Sequence, residues 1–501
     1  MIKLESTEHI VDVVRALYAD DHLSFKTITA ADERKTSGCF KIFYLFGIKG
    51  TDDFTIPYIE LRDTETFPSV APFIKEASDC ERKIHTLMGL IPDGHPDGRR
   101  LLLHETFSDN TYPLRKDFTK QPDDKRIESK PYHFTEVGGE GIYEIPVGPI
   151  HAGIIEPGYF RISVAGEEIV LLEPRLGFVH KGSEKLFEKI LLSDAVRLSE
   201  KISGDSSFNH SLAFCTAIEK LGDITVPLRA NYLRVVFAEL ERITNHLGDI
   251  GGILLDTGFN FGGAAGARLR ETMMRLNEEL TGNRFLRGVN TIGGVTKDIG
   301  TDAETKLVEH LATLQKDLNE VIAIAEHSAT VLNRLKTTGT IPPNAAQIHG
   351  ARGVAARCTG IMRDARKDHP YAAYARLDHV IALEQIGDVY ARFHVRTKEI
   401  ASSCNLIRDA LQKMPGGLIQ QETTTMHLRK NAYAVGVSEG HRGENMYFIA
   451  TDAEGKISRV DITDPSFFNW TIVGMTAVGN IVPDFPLINK SFGLSYSGYD
   501  V

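Results

Sequence analysis

The chain has few cysteines. Cys39, Cys80, Cys215, Cys358 and Cys404 are scattered, and no two stand in a C-x-x-C pair. Neither a zinc site nor an iron–sulfur cluster can be read from such spacing. An odd, dispersed set is the usage of a reduced compartment. Positive charge is also short, with 57 Lys and Arg against 67 Asp and Glu and a formal net charge of −10. A surface of that sign does not neutralise phosphates, so no nucleic-acid partner is expected. No run of about 18 apolar residues occurs, so no direct membrane span is expected and membrane contact must come through a partner. The opening "MIKLESTEHIVDVVRALYADD" carries acids throughout and reads as an amphipathic helix, not a signal peptide. There is no H-E-x-x-H, no internal repeat and no low-complexity tract. What remains is 501 residues, 42% hydrophobic and 25% charged, enough for more than one domain with real cores.

Helical spacing over 5–19 puts Ile10, Val13, Val14 and Leu17 on one face, with Ser6 or Thr7 as the cap. Strands are expected at 24–31, 40–48 and 54–62, with Pro57 making the last an edge strand or bulged. A helix over about 69–89 follows. This order predicts a small α+β domain over 1–118. Residues 92–118 are dense in Pro, Gly and charge and should be irregular, and 119–141 reads as a linker. From 142 to 501 a mainly helical domain with small β elements is expected: a hairpin turning at Gly166, helices over 229–248, 304–335 and about 371–412, then short strands. The fold class is α+β throughout.

Several motif matches carry little. "GVSEG" (436–440) fits a nucleophile pattern, but loop and strand follow where a helix is required. "GFNFGGAAGARLRE" (258–271) lacks a Walker lysine and a preceding parallel strand, so close packing or a tight turn is the better reading. Two other stretches are more informative together than apart. "KISGDSSFNHSLAF" (201–214) places Ser203 and Ser206 at C-x-x-C spacing ahead of His210, and "DPSFFNW" (464–470) places Ser466 and Asn469 likewise. Each alone is an ordinary helix start, with Ser206 or Ser207 as the cap of the first.

Long ordered motifs extend these two stretches. "ERKIHTLMGLIPDGHPDGRRLLLHETFSDNTYPLRKDF" (81–118) resembles the signature of the 30-kDa subunit of respiratory complex I. "GPIHAGIIEPGYFRISVAGEEIVLLEPRLGFVHKGSEKLFE" (148–188) resembles the start of the complex I 49-kDa subunit. It resembles still more the large subunit of membrane-bound, energy-converting NiFe hydrogenases of the formate hydrogenlyase group. "RDARKDHPYAAYARLDH" (363–379), "GDVYARFHVR" (387–396) and "EGHRGENMYFIATD" (439–452) continue the likeness.

In that family nickel is held by two C-x-x-C pairs. The resemblance maps the four ligand positions onto Ser203, Ser206, Ser466 and Asn469, while Gly204, Phe208, His210, Ser211, Asp464 and Pro465 keep the frame. Thiolates suit such a centre; hydroxyls are hard donors hardly ionised at neutral pH, and an amide is neutral. The resemblance therefore implies a cavity without nickel and without H2 chemistry. It also implies roles for Glu156, matching a proton-passing glutamate, Arg442, matching an arginine over the metal site, and Asp256, matching an aspartate coupled to the complex I quinone site. His210 completes the implied catalytic set. Phe208 stands where complex I has a proton-donating tyrosine. No cofactor is expected in this chain, but a 4Fe-4S cluster is expected in an adjacent hydrogenase-small-subunit-like protein, alongside complex I-like membrane subunits. The expected location is peripheral, on the cytoplasmic face of the inner (plasma) membrane. The expected function is that of an oxidoreductase-family subunit, passing electrons to quinone or another acceptor and coupling this to ion translocation. The alternative is a non-catalytic scaffold.

Overall fold

The structure, a computed structural model, describes residues 2–4, 9–119, 131–151, 155–423 and 426–501. It begins with helix α1, Ile10–Tyr18, which buries Ile10 and Val14. The expected caps Ser6 and Thr7 lie outside the described residues. Strands β1 (Leu23–Glu33), β2 (Cys39–Ile48) and β3 (Pro57–Leu61) form an antiparallel sheet, and Ile2–Lys3 pairs parallel with β3. The strand expected over 54–62 is broken at Ile56, because Pro57 has no N–H to continue the ladder. Phe54–Thr55 forms a separate short pairing with β2.

Helix α2 runs only over Ser78–Met88, preceded by a single 3-10 turn, and not from 69. Pro72 interrupts the helical pattern, and the N–H of Val70 is bonded to the Glu81 carboxylate at 2.7 Å instead of to a preceding turn. Residues 94–119 are irregular as expected. Of the expected linker, 120–130 lie outside the described residues, while the Tyr132 ring stacks on Arg175.

The second module opens with β4 (Ile142–Val147), β5 (Tyr159–Ala165) and β6 (Glu168–Arg175), an antiparallel sheet turning at Gly166 with φ +65°. Its helices include α3 (Ser183–Phe187), α4 (Ser207–Leu221), α5 (Leu228–Asp256), α6 (Asn260–Thr281), α7 (Thr301–Glu326) and α8 (Val389–Lys413). Gly258, with φ +82°, turns the chain between α5 and α6, while Gly262, Gly263 and Gly266 lie within α6 and allow it to close on α5. A Cβ on Gly266 would come 2.5 Å from the Cα of Gly251. The helix expected from 371 begins at Val389. Pro370 and Gly387, with φ +76°, break the path, and Asp388 caps the new start by accepting from the Ala391 N–H. A three-stranded sheet of β7 (Tyr433–Gly440), β8 (Gly443–Thr451) and β9 (Ile457–Thr463) follows, then α9 (Pro465–Ala477) and α10 (Phe485–Phe492). "GVSEG" lies within β7, so Ser438 is a strand residue, not one on a strand-to-helix elbow.

One hydrophobic core runs from Ile10 and Phe43 through Leu233 to Tyr499 and joins the two modules. Buried ion pairs cross the same boundary. Lys83 of α2 reaches Glu184 at 2.6 Å and Lys26 of β1 reaches Glu444 at 2.6 Å. The small α+β module is thereby fixed against the sheet that carries the second loop of the site.

Candidate functional site

Two helix starts face each other across the site. Helix α9 begins at Asp464, whose carboxylate accepts from the Ser466 N–H at 2.7 Å, with Pro465 at the first helical position. Helix α4 begins after Ser206, but neither Ser206 nor Ser207 caps it. The cap comes from α5. Glu241 accepts from the N–H of Phe208 at 2.6 Å, the N–H of Asn209 at 3.1 Å and the Asn209 side chain at 2.7 Å. A carboxylate there satisfies first-turn donors and complements the helix dipole. Burial nevertheless lifts the Glu241 carboxyl to about 7 against those three donors. Glu241→Ala is expected to cost about 3 kcal/mol in urea unfolding, as charge-assisted bonds to a buried helix start are lost, and Glu241→Gln about half of that. A cost under about 0.5 kcal/mol for the alanine variant would remove Glu241 as the cap.

His210, fully buried, ties the two starts together. Its Nε2 lies 3.1 Å from the Asp464 carboxylate and its Nδ1 3.1 Å from the Tyr447 hydroxyl. Burial raises the Asp464 carboxyl, and the bond from His210, with the Arg442 charge and the bond from Ser466, together outweigh this and leave it below its ordinary value.

The four positions matched to metal ligands are all buried. The Ser203 hydroxyl lies 2.8 Å from that of Ser495 and 3.1 Å from the Asp205 carboxylate. The Ser466 hydroxyl accepts from the Ser495 N–H at 3.0 Å. Asn469 brackets the Arg352 backbone, accepting its N–H at 3.0 Å and donating to its carbonyl at 3.2 Å. Ser206 lies against Gly440, and its N–H donates to the Ser203 carbonyl at 3.0 Å. Among the described residues no cluster of three or more His, Cys, Asp or Glu has the geometry of a metal site. Three of the four side chains are therefore committed to protein hydrogen bonds, and none is a soft donor.

Arg442 sits at the same loop. Its guanidinium forks onto Asp205 at 2.7 Å through both terminal nitrogens and lies 3.4 Å from the Ser203 hydroxyl. Burial pushes Asp205 up, and the Arg442 charge and hydrogen bonds, helped by Ser203, together overcome this and hold the carboxyl far below the carboxylate range.

Glu156 reaches the loops indirectly. It accepts the Ser497 N–H at 2.9 Å, the Ser497 and Ser495 hydroxyls are 3.3 Å apart, and Ser495 contacts Ser203 and Ser466. Asp256 stands apart at the end of α5. It is half-buried, its carboxyl raised by burial and lowered by the Lys490 charge. No hydrogen bond or ion pair among the described residues joins it to Glu156, His210 or Arg442. Phe208 packs its ring 5.8 Å from that of Phe237, inside the core.

Behind the loops lies a charge network absent from the sequence expectations. His246 donates to Glu399 at 2.7 Å, and Glu399 pairs with Arg357 at 2.7 Å. Arg357 also meets Glu439 at 2.8 Å and Asp364 at 3.4 Å. Asp364 grips Arg366 at 2.6 Å, and Arg366 meets Glu239 at 3.1 Å. Asn245 joins the network edge to the site, donating to the Asp205 carbonyl at 2.7 Å and to His441 at 3.3 Å. These residues come from α5, α8, β7 and the 353–368 segment. The only available signal was their charge on otherwise apolar faces, and no spacing rule links them.

Residues 5–124 match the family described as respiratory-chain NADH dehydrogenase, 30 Kd subunit, and residues 256–435 match the corresponding 49 Kd subunit. Formate hydrogenlyase subunit 5 of Escherichia coli (strain K12) is 32% identical over 98% of this chain and 87% of its own length. Hydrogenase-4 component G of the same organism is 33% identical over 98% of this chain and 86% of its own. Among solved structures, a chain of the membrane-bound sulfane sulfur reductase, an archaeal respiratory membrane complex, superposes with a TM-score of 0.68 at 26% identity. It covers 72% of this chain and 99% of that one. Among the described residues no helix is long and apolar enough to cross a membrane. The chain belongs to the family of large subunits in which a complex I 30-kDa-like module is fused to a 49-kDa/hydrogenase-like module, the family of formate hydrogenlyase subunit 5 and hydrogenase-4 component G.

Proposed function

We propose that this chain is a metal-free redox large subunit. Electrons come from a 4Fe-4S cluster in a neighbouring small subunit and pass to a quinone or another small acceptor at the former metal loops. The event is coupled to ion translocation by membrane subunits from the cytoplasmic face. The reading rests on the hydrogen-bonded hydroxyls of Ser497, Ser495 and Ser203, with Glu156 held by the Ser497 N–H at one end and Ser466 by the Ser495 N–H at the other. This series connects a carboxyl group to the positions where family members place metal ligands. A nickel–iron centre does not fit this donor set: the hydroxyls and the amide are hard and neutral, and all but Ser206 are already spoken for.

Two-electron reduction of a quinone consumes two protons. Phe208 cannot donate one. The Ser497, Ser495 and Ser203 hydroxyls can pass protons among themselves, and Glu156, which meets the series at the Ser497 N–H, is the neighbouring group that can take up and release them. Arg442 places positive charge beside Ser203, where negative charge on a reduced acceptor would be stabilised.

The test is made on the intact membrane complex. Metal analysis should give nickel far below one per chain. Turnover with quinones and with polysulfide should identify the acceptor, and Glu156→Gln should slow that turnover by about 10²-fold. Stoichiometric nickel, or turnover indifferent to Glu156→Gln, refutes the reading, and the second outcome leaves the chain as a scaffold.

A further inference from the structure

A cavity of about 400 Å³ opens between the first module and the β6–α9 face of the second. None of Ser203, Ser206, Ser466 or Asn469 lines it. Its apolar wall includes Leu101, Leu172, Trp470, Met475 and Val478. Its polar wall holds the guanidiniums of Arg82, Arg99 and Arg175 and the carboxylates of Asp79, Asp97 and Glu173. The charges are mutually engaged. Arg82 meets Asp79 at 3.0 Å, Arg99 meets Asp97 at 2.8 Å and also Glu173, and Arg175 pairs with Glu105 at 3.0 Å.

Arg82 and Tyr499 each leave a donor over, besides the exposed Thr135 hydroxyl and the sealed-off Arg175 Nε. Arg82 donates through Nε to the Arg99 carbonyl at 3.0 Å and through Nη1 to Asp79, so Nη2 has no acceptor among the described residues. The Tyr499 hydroxyl likewise has none. Neither atom is among the buried groups sealed away without a partner, so both border open volume. Burial and the Asp79 charge keep the Tyr499 phenol protonated, with Arg82 near enough to oppose them.

A ligand entering this space meets balanced charge, a broad apolar wall and two unused donors. An ion would lose hydration there without gaining an unpaired counter-charge. A neutral molecule bearing an acceptor loses little and satisfies both donors. We propose that this cavity is a binding site for a small neutral molecule with an apolar body and a carbonyl acceptor. Arg82 and Tyr499 hold the carbonyl, and Trp470 and its neighbours hold the body. The site is separate from the loops on which the proposed function rests.

Trp470 is the only tryptophan of the chain and lines this cavity, so its emission responds to a ligand there; its indole N–H also bonds the Ser495 carbonyl at 3.2 Å, so the variants below assign the quenching to the cavity. The purified full chain is titrated with Prodan, a neutral naphthalene ketone. The expected result is saturable quenching of Trp470 with sensitised probe emission. Tyr499→Phe should weaken binding about fivefold, the loss of one hydrogen bond to a neutral acceptor. Val478→Phe, at the exposed rim, should weaken it further by filling space, with circular dichroism and unfolding midpoint unchanged. Absence of saturable quenching overturns the proposal, as does equal affinity in wild type and both variants. Tighter binding of anionic anilinonaphthalene sulfonate, displacing Prodan, overturns the assignment of a neutral ligand.

Discussion

Arg357→Met is expected to lower the free energy of unfolding by about 3–5 kcal/mol, because it strands buried charges instead of removing a balanced set. Arg357 is 0% exposed and holds Glu399, Glu439 and Asp364 at once. Methionine fills the space but leaves three carboxyl groups facing one another with less positive charge between them. The loss should depend on pH. Burial, then repulsion from Asp364, already lifts Glu439 to about 7. A carboxyl whose folded value lies above its unfolded one favours folding below the unfolded value, and that contribution is lost as pH rises from about 4.5 to about 7. Without Arg357 the lift grows, so the penalty should be larger at pH 8 than at pH 5. Urea unfolding at both pH values measures this. Equal penalties would show that Arg357 contributes packing and not charge.

Arg442→Met should slow acceptor reduction by the intact complex about 10²-fold, the scale seen when a preorganised donor to developing negative charge is removed. Arg442→Lys should recover part of the rate, since it keeps the charge but not the two-pronged grip on Asp205. A second readout does not depend on activity. Asp205 is held far below its ordinary value in the wild type, burial opposing and Arg442 prevailing. A carboxyl depressed in this way stabilises the fold above its unfolded value of about 4, and the contribution is lost as pH falls below that. In Arg442→Met the depression disappears, so this acid-side loss should disappear with it. Unchanged turnover together with an unchanged acid limb would place Arg442 outside both roles.

The elements that were legible were those whose residues speak for themselves locally. The strand-like apolar runs of 23–48, the apolar stripe of α5 and the hairpin at Gly166 are set by composition, period and turn chemistry. Boundaries went astray where a distant group took over a local task. Ser206 and Ser207 look like caps for α4, yet the first turn is satisfied by Glu241, 33 and 32 positions from its partners. The 371–388 segment carries helical spacing, yet Pro370 and Gly387 break it, and the Tyr371 hydroxyl is drawn to the Glu439 N–H at 2.8 Å. The serine series was hidden for the same reason. "LSYSGY" near the C-terminus has no motif, and its meaning lies in reaching Glu156, 341 positions earlier.

By itself the amino-acid sequence determined the two-module α+β organisation and the family, because period, turns and long ordered motifs are properties of contiguous residues. It also shows that Ser203, Ser206, Ser466 and Asn469, the positions the resemblance matches to metal ligands, carry no thiolate, since that is a matter of residue identity. Only the tertiary structure decided what those positions now do. It joins Ser203 and Ser466 through Ser495, sets Arg442 on Asp205, buries Phe208 in the core and leaves Asp256 apart. A hydrogen bond or a buried ion pair is a contract between partners hundreds of residues apart, and its terms are distance and desolvation. Neither is written in the order of residues along the chain.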